Sequence, residues 1–192
     1  MVLSSNRLLQ FILLVFLVSL AATGILSDGV QSTVDGFFAL QFHSGRLIND
    51  FIEIAGIGGA LFNAAAVGLT GLVCIRLAGI ELSGPTFAAV LTMVGFGLFG
   101  KTPLNIIPII LGVYISARFV GKRFRDYLII ALFGTALGPL VSAITWELGL
   151  PLLPALLAGI AGGLITGFLL PPVAVAMLHL HQGYNLYNMG LS

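Results

Sequence analysis

The chain has 192 residues, is 58% hydrophobic and 8% charged, and carries a net charge of +1; its mean hydropathy is +1.12. Soluble domains carry about 25% charged residues, so a water-facing globule is excluded and the bilayer must be the main solvent. The near-zero charge gives no basis for nucleic-acid binding, and Cys74, the single cysteine, excludes a disulfide framework or a cysteine metal site within one chain.

Leu8 to Leu26 forms the first apolar span, with Arg7 before it and Asp28 after it. Small residues at Ala21-Ala22-Thr23-Gly24 resemble a cleavage site, but the apolar core exceeds the 7–15 residues of a signal peptide. An uncleaved helix is expected. Val30 to Ala55 is the most polar part. Its later half, SGRLINDFIEIA, reads as an amphipathic helix. Leu47, Ile48, Phe51, Ile52 and Ala55 share one face, and Arg46, Asp50 and Glu53 share the other. Such a helix lies on the membrane or caps the bundle, with Asp50 and Glu53 on a solvated face. Ile57 to Leu77 is the second span, with Asn63 inside it and Arg76 placed to snorkel at its end.

Gly84 to Phe119 holds two apolar runs, Pro85 to Phe99 and Pro103 to Phe119, joined at Lys101-Thr102. The first is short for a crossing, which needs roughly 17–25 residues. Ser83-Gly84-Pro85-Thr86 and Thr102-Pro103 are both helix starts, with a polar or glycine cap before proline at the first helical position. Two settings fit these starts. One is an ordinary interfacial loop. The other is a helix end inside the membrane, where unpaired N–H donors and the helix dipole bind anions or polar solutes.

Arg118, Lys122, Arg123 and Arg125 form the cationic cluster that marks a cytoplasmic loop. Tyr127 to Trp146 follows, interrupted by Gly138-Pro139. Glu147 ends that span, at the interface or dipping into a pore mouth. Leu152 to Leu170 carries Gly159, Gly163 and Gly167 at four-residue spacing, a helix-packing signature in lipid. Pro171-Pro172 is expected to break the chain before a last apolar segment begins at Val173. His179 and His181 are too few to hold a metal ion.

Threading these charges places the N-terminus and loop 118–126 on the cytoplasmic side of a cell membrane. One internal similarity has functional weight. Gly58-Gly59-Ala60-Leu61-Phe62-Asn63 and Gly183-Tyr184-Asn185-Leu186-Tyr187-Asn188 share Gly-x-x-Leu-aromatic-Asn at an offset of 125 residues. An odd number of crossings separates them, which is the arithmetic of an inverted repeat. The expected organisation is an N-terminal helix plus amphipathic segment over 1–55, a five-segment unit over 56–172, and the start of a second unit from 173. A missing second half, or a homo-oligomer, would then complete the protein.

With GPTFAAVLTMVGFGLFGKTPLNIIPIILGVY, LFGTALGPL and HQGYNLYNMG in view, the chain resembles a bacterial family of uncharacterised polytopic membrane proteins, a domain of unknown function whose longer members carry two related halves. The resemblance spans roughly residues 55 to 192 and implies no known activity. A looser, architectural similarity is to urea transporters, which use five-plus-five inverted repeats; Gly183-Tyr184-Asn185 and Leu61-Phe62-Asn63-Ala64-Ala65-Ala66-Val67-Gly68 carry it.

The expected fold is therefore an all-α, polytopic transmembrane helical bundle of about six or seven membrane segments, with broken or half-length helices. The leading functional expectation is a channel or transporter for a small polar solute, lined by Asn63, Thr86, Asn105, Asn185 and Asn188. Its helix breaks lie at Pro85, Pro103, Gly138 and Pro139. The alternative is a non-transporting membrane scaffold, with the asparagines tied into helix–helix hydrogen bonds. No nucleophile–base pair, phosphate loop or cofactor motif appears, so an enzyme is not expected.

Overall fold

The computed structural model describes residues 5–44 and 49–181. These residues form eight α-helices and two 3-10 turns: α1 Ser5–Asp28, α2 Val30–Gln41, α3 Phe51–Leu77, α4 Gly84–Phe96, α5 Pro103–Phe119, α6 Leu128–Gly134, α7 Gly138–Glu147 and α8 Leu152–His181, with the turns at Phe124–Tyr127 and Thr135–Leu137. In lipid every backbone polar group must be satisfied within the chain, which leaves helices as the local solution for such apolar runs. Four stretches are long and apolar enough to cross a membrane: Asn6–Asp28, Phe51–Leu77, Phe124–Glu147 and Leu152–Met177. α4 and α5 are shorter apolar helices. The protein is thus an all-helical bundle of membrane-spanning character.

Charge sorts the two ends of the bundle. Asn6 at the start of α1 accepts from the backbone N–H of Leu82 at 2.9 Å, and α3 ends beside Arg123 and Arg125. Arg7, Arg76, Arg118, Lys122, Arg123 and Arg125 therefore share one end. At the other end Asp28 caps α3, Phe51 N–H donates to Leu98 O at 3.3 Å, and Phe42 stacks edge-on against Trp146 at 5.9 Å.

Small residues allow the close crossings. α2 crosses α3 where a Cβ on Gly59 would come within 2.9 Å of the Gly36 backbone. α5 crosses α8 where a Cβ on Gly167 would sit 3.0 Å from Gly112 Cα. Ile106, Ile110, Met93, Val90, Leu128 and Leu132 fill the space between α3, α4, α5 and α6.

The structure adds one element to the sequence expectations and departs from them at two places. The polar stretch before residue 42, for which the sequence reading named no element, is a helix, Val30–Gln41, whose inner residues Thr33, Leu40 and Gln41 are buried. Tertiary packing against α3 outweighs its weak apolar pattern. The amphipathic helix over SGRLINDFIEIA is corrected in its described part: Asn49 and Asp50 are not helical, and the helix starts at Phe51. Asp50 is extended at φ −75, ψ 103 and caps α3, accepting from Ile52 N at 2.8 Å. Phe51 and Ala55 are buried as expected, but Ile52 is exposed with Glu53; Arg46, Leu47 and Ile48 lie outside the described residues.

α3 itself bends at Gly56, whose φ of 71 and ψ of 171 are not helical. A positive φ of this kind suits glycine. The continuous span starts at Ile57, where the sequence reading placed it. The freed Gly58 N–H is taken by the Asp28 carboxylate of α1 at 2.7 Å. Finally, Pro171-Pro172 does not end the last span. α8 runs unbroken from Leu152 to His181 with both prolines inside it, so residue 173 falls within a helix. A proline deletes one N–H from the ladder, but in apolar surroundings the rest of the backbone has no better partner than the helix.

Candidate functional site

The joint between α4 and α5, Gly97 to Thr102, is buried at Gly97, Gly100, Lys101 and Thr102, while Phe99 is exposed. Both ends are shaped by local chemistry. α4 stops at Phe96, and Gly97 and Gly100 follow it in the non-helical joint. α5 restarts at Thr102-Pro103 with a reciprocal cap: Asn105 N–H donates to Thr102 Oγ1 at 3.3 Å, and Thr102 N–H donates to Asn105 Oδ1 at 3.0 Å. Such capping boxes satisfy two orphan donors at a helix start.

Side chains from four other elements pin this joint. Asn63 of α3, wholly buried, donates through Nδ2 to Gly97 O at 2.7 Å and to Lys101 O at 2.8 Å. Its Oδ1 accepts from Gln41 Nε2 of α2 at 3.2 Å. Gln41 Oε1 in turn accepts from Leu104 N–H at 3.3 Å, the second residue of α5. Asn105 Nδ2 donates to Gly100 O at 2.9 Å and to Ser142 Oγ of α7 at 3.0 Å. α7 can approach because residue 138 is glycine; a Cβ there would lie 2.6 Å from Asn105 Oδ1.

Lys101 is the centre of this arrangement. Its side chain is 1% exposed. Nζ donates to Thr135 Oγ1 at 2.9 Å and stands 4.9 Å from the centroid of the Phe96 ring. Thr135 passes the chain on by donating to Leu132 O. Among the described residues no carboxylate lies within ion-pair distance of Lys101. A buried ammonium held by one hydroxyl and one ring face keeps little of its hydration energy. A cavity of about 40 Å³ adjoins the network and is lined by Gln41, Asn105, Ser142, Thr145 and Trp146 among others. That is roughly the space of a single water molecule.

The residues expected to line a solute path are only partly brought together. Asn63 and Asn105 meet at the joint. Thr86 does not: it closes the first turn of α4, accepting from Ser83 N–H at 2.8 Å and donating to Ser83 O at 3.1 Å. Eleven helical residues, about 16 Å, separate it from the joint. Asn185 and Asn188 lie outside the described residues. Pro85, Pro103 and Pro139 each sit in the first turn of a helix. The break before Gly138 is a 3-10 turn at Thr135–Leu137, and it is this turn that presents Thr135 to Lys101. Arg118, Lys122, Arg123 and Arg125 are exposed at the basic end.

Sequence reasoning placed Lys101 and Thr102 at the joint but not in the site, and it passed over Gln41, Thr135 and Ser142. The available signal was an ionisable residue between two apolar runs, which marks a functional position by default. No comparable signal marks the lone threonine and serine. Among the described residues no group of three or more His, Cys, Asp or Glu side chains stands close enough to share a metal ion.

Comparison with known proteins gives a family and no activity. No curated protein and no solved structure matches the chain. The family described as a protein of unknown function, DUF1576, matches residues 30–192. That match takes in α2, both joint helices, Lys101 and every side chain that pins the joint, and the chain belongs to the DUF1576 family.

Proposed function

We infer that the protein is a multi-pass cell-membrane channel or carrier for a small polar solute, and that the joint between α4 and α5 is its working element. The observation that carries this reading is the burial of Lys101 without a carboxylate partner among the described residues. Intramembrane charges are costly and face bundle interiors or pathways. Helices that break at membrane depth do so where the freed backbone is buried in protein or lines a cavity, and such breaks form the solute sites of many transporters. Here the break at Gly97–Thr102 carries Lys101, and the break at Thr135–Leu137 supplies the hydroxyl that accepts from its ammonium. The joint is closed: α2 and Phe51 cover it toward the acidic end, and the core residues Met93, Ile106 and Ile110 fill the other side. A solute would pass when α2 and Gln41 move off the joint.

Six of the eight Lys and Arg residues gather at one end of the bundle, which supports a cytoplasmic setting for that end, for the N-terminus and for loop 118–126. α8 finishes at that end, opposite to where α3 begins. A second unit continuing from there would be inverted, and a second half or another copy of the chain would complete the path. A thiol placed by Lys122→Cys in a Cys74→Ala background is expected to react with an impermeant reagent in inside-out vesicles and not in right-side-out ones.

The test of transport is flux. Liposomes holding the full chain are expected to pass a small polar solute, and Lys101→Met and Asn105→Leu are expected to reduce that flux at least tenfold. Liposomes that stay tight to every solute in a panel of neutral, anionic and cationic compounds would sink the reading.

One observation favours a second reading, a non-transporting scaffold. Every buried side-chain nitrogen and oxygen among the described residues already has a hydrogen-bond partner, and interhelical polar contacts of this kind, worth about 1 kcal/mol each, hold bundles together without conducting anything. That reading predicts tight liposomes and a strongly destabilised Asn63 variant.

A further inference from the structure

α3 reaches the basic end of the bundle with an apolar groove on each side. The groove between α3 and α5 has a volume of about 540 Å³ and is walled by Cys74, Leu77, Ile110, Leu111 and Tyr114. Arg123 and Arg125 complete its lining at the basic end. The groove between α1 and α3, about 390 Å³, is walled by Phe11, Leu14, Leu69 and Val73, with Arg7 and Arg76 in the same place. The same composition thus occurs twice at one level of the bundle: an apolar trough with a pair of guanidinium groups at its end.

The charges are available. Asp126 is shared by Arg123 and Arg125, at 3.8 Å from the Nε of each. One carboxylate between two guanidiniums leaves a net positive charge, and Lys122 and Arg118 stand close by in the chain. Arg7 and Arg76 have no ion pair among the described residues. The Tyr114 ring meets the Phe124 ring edge-on at 5.7 Å, which holds the arginine-bearing turn against α5.

We propose that each groove binds one anionic phospholipid, with an acyl chain along the apolar wall and the phosphate on the arginine pair. The occupant follows from the combination. A free phosphate would use the guanidiniums and leave the troughs empty. A zwitterionic lipid would bring its own cation toward the arginines. An anionic diacyl lipid satisfies both parts, as basic pockets between membrane helices do for acidic head groups. The proposal is independent of transport, since neither groove includes the joint.

The experiment is native mass spectrometry of the full-length protein released from mixed micelles of phosphatidylglycerol and phosphatidylcholine with identical acyl chains. Two phosphatidylglycerol molecules are expected to stay bound preferentially. Arg123→Gln with Arg125→Gln should lose one, and Arg7→Gln with Arg76→Gln the other. Each double variant should weaken its site about tenfold or more, given the roughly fivefold that one basic residue contributes near an anionic surface. Leu111→Trp, which fills the first groove and keeps its arginines, should lose the same lipid as the Arg123/Arg125 variant. It decides the matter if the charge variants do not fold. Inorganic phosphate and glycerophosphoglycerol should not compete at equal concentration. Equal retention of the two lipids, an unchanged phosphatidylglycerol count in the variants, or full competition by the chain-free head group would each overturn the proposal.

Discussion

The Asn63 side chain donates to the carbonyl of Lys101 at 2.8 Å, across 38 residues of chain. It thereby fixes the backbone of the one lysine that the bundle buries. The same amide holds Gly97 O, so one side chain spans the joint from the end of α4 to the start of α5. The joint is a shaped element, and its shape depends on residues far away in the sequence.

Asn63→Leu removes both donors and strands two buried carbonyls, and it also leaves Gln41 Nε2 short of one acceptor. A buried acceptor without a partner costs about 1–3 kcal/mol. The variant is expected to lose about 3 kcal/mol or more of stability, read as a lower melting temperature in detergent. A melting temperature equal to the parent's would show that the joint does not need the amide.

Lys101→Met and Thr135→Val should act in opposite ways on stability. The methionine replaces a buried charge by an apolar chain of similar length, and Thr135 keeps its hydrogen bond to Leu132 O. Replacing buried charges by apolar groups is often neutral or stabilising. The valine instead takes away the hydroxyl that accepts from the ammonium, at a cost of about 2 kcal/mol. In the double variant the cost of Thr135→Val should shrink, because no charge is left to strand. A double-mutant cycle of melting curves measures this directly, and strictly additive effects would refute it.

Asp28 caps the start of the continuous α3 span at Gly58. Asp28→Ala is expected to cost about 1 kcal/mol, the usual worth of a helix cap, and Asp28→Asn less. Hydrogen exchange at residues 57–60 should accelerate in the alanine variant with little change at 65–75. Uniform acceleration over the whole helix would mean that the cap is not local.

The α5–α8 crossing depends on bare backbone at Gly112. A Cβ there would collide with Leu164 O and come within 2.8 Å of Gly167 Cα. Gly112→Ala should therefore destabilise by about 1–3 kcal/mol through overpacking. Gly95 in α4 has nothing within 4 Å of the same atom, so Gly95→Ala should be neutral or slightly stabilising. Equal behaviour of the two variants would contradict the crossing.

Local composition alone determined a good deal of this protein. Long apolar runs without charges must be helices in lipid, and the helix bounded by Thr102-Pro103 and Phe119 is written in its cap and its hydropathy. The basic loop and the start of the α3 span at Ile57 were legible for the same reason: each depends on neighbours within one or two turns. Only the tertiary structure decided that Val30–Gln41 is helical, because its stability comes from lying across α3 and delivering Gln41 to Asn63. Only the structure carried α8 through Pro171-Pro172, since the alternative conformations of two prolines differ in packing and not in sequence. It alone showed that Lys101 meets Thr135, that Asn105 meets Ser142, and that Thr86 meets neither. Hydropathy is a sum over adjacent residues, whereas a buried hydrogen bond is a match between two groups that the chain holds apart. The partners here lie 22 to 38 residues from each other, and packing alone brings them together.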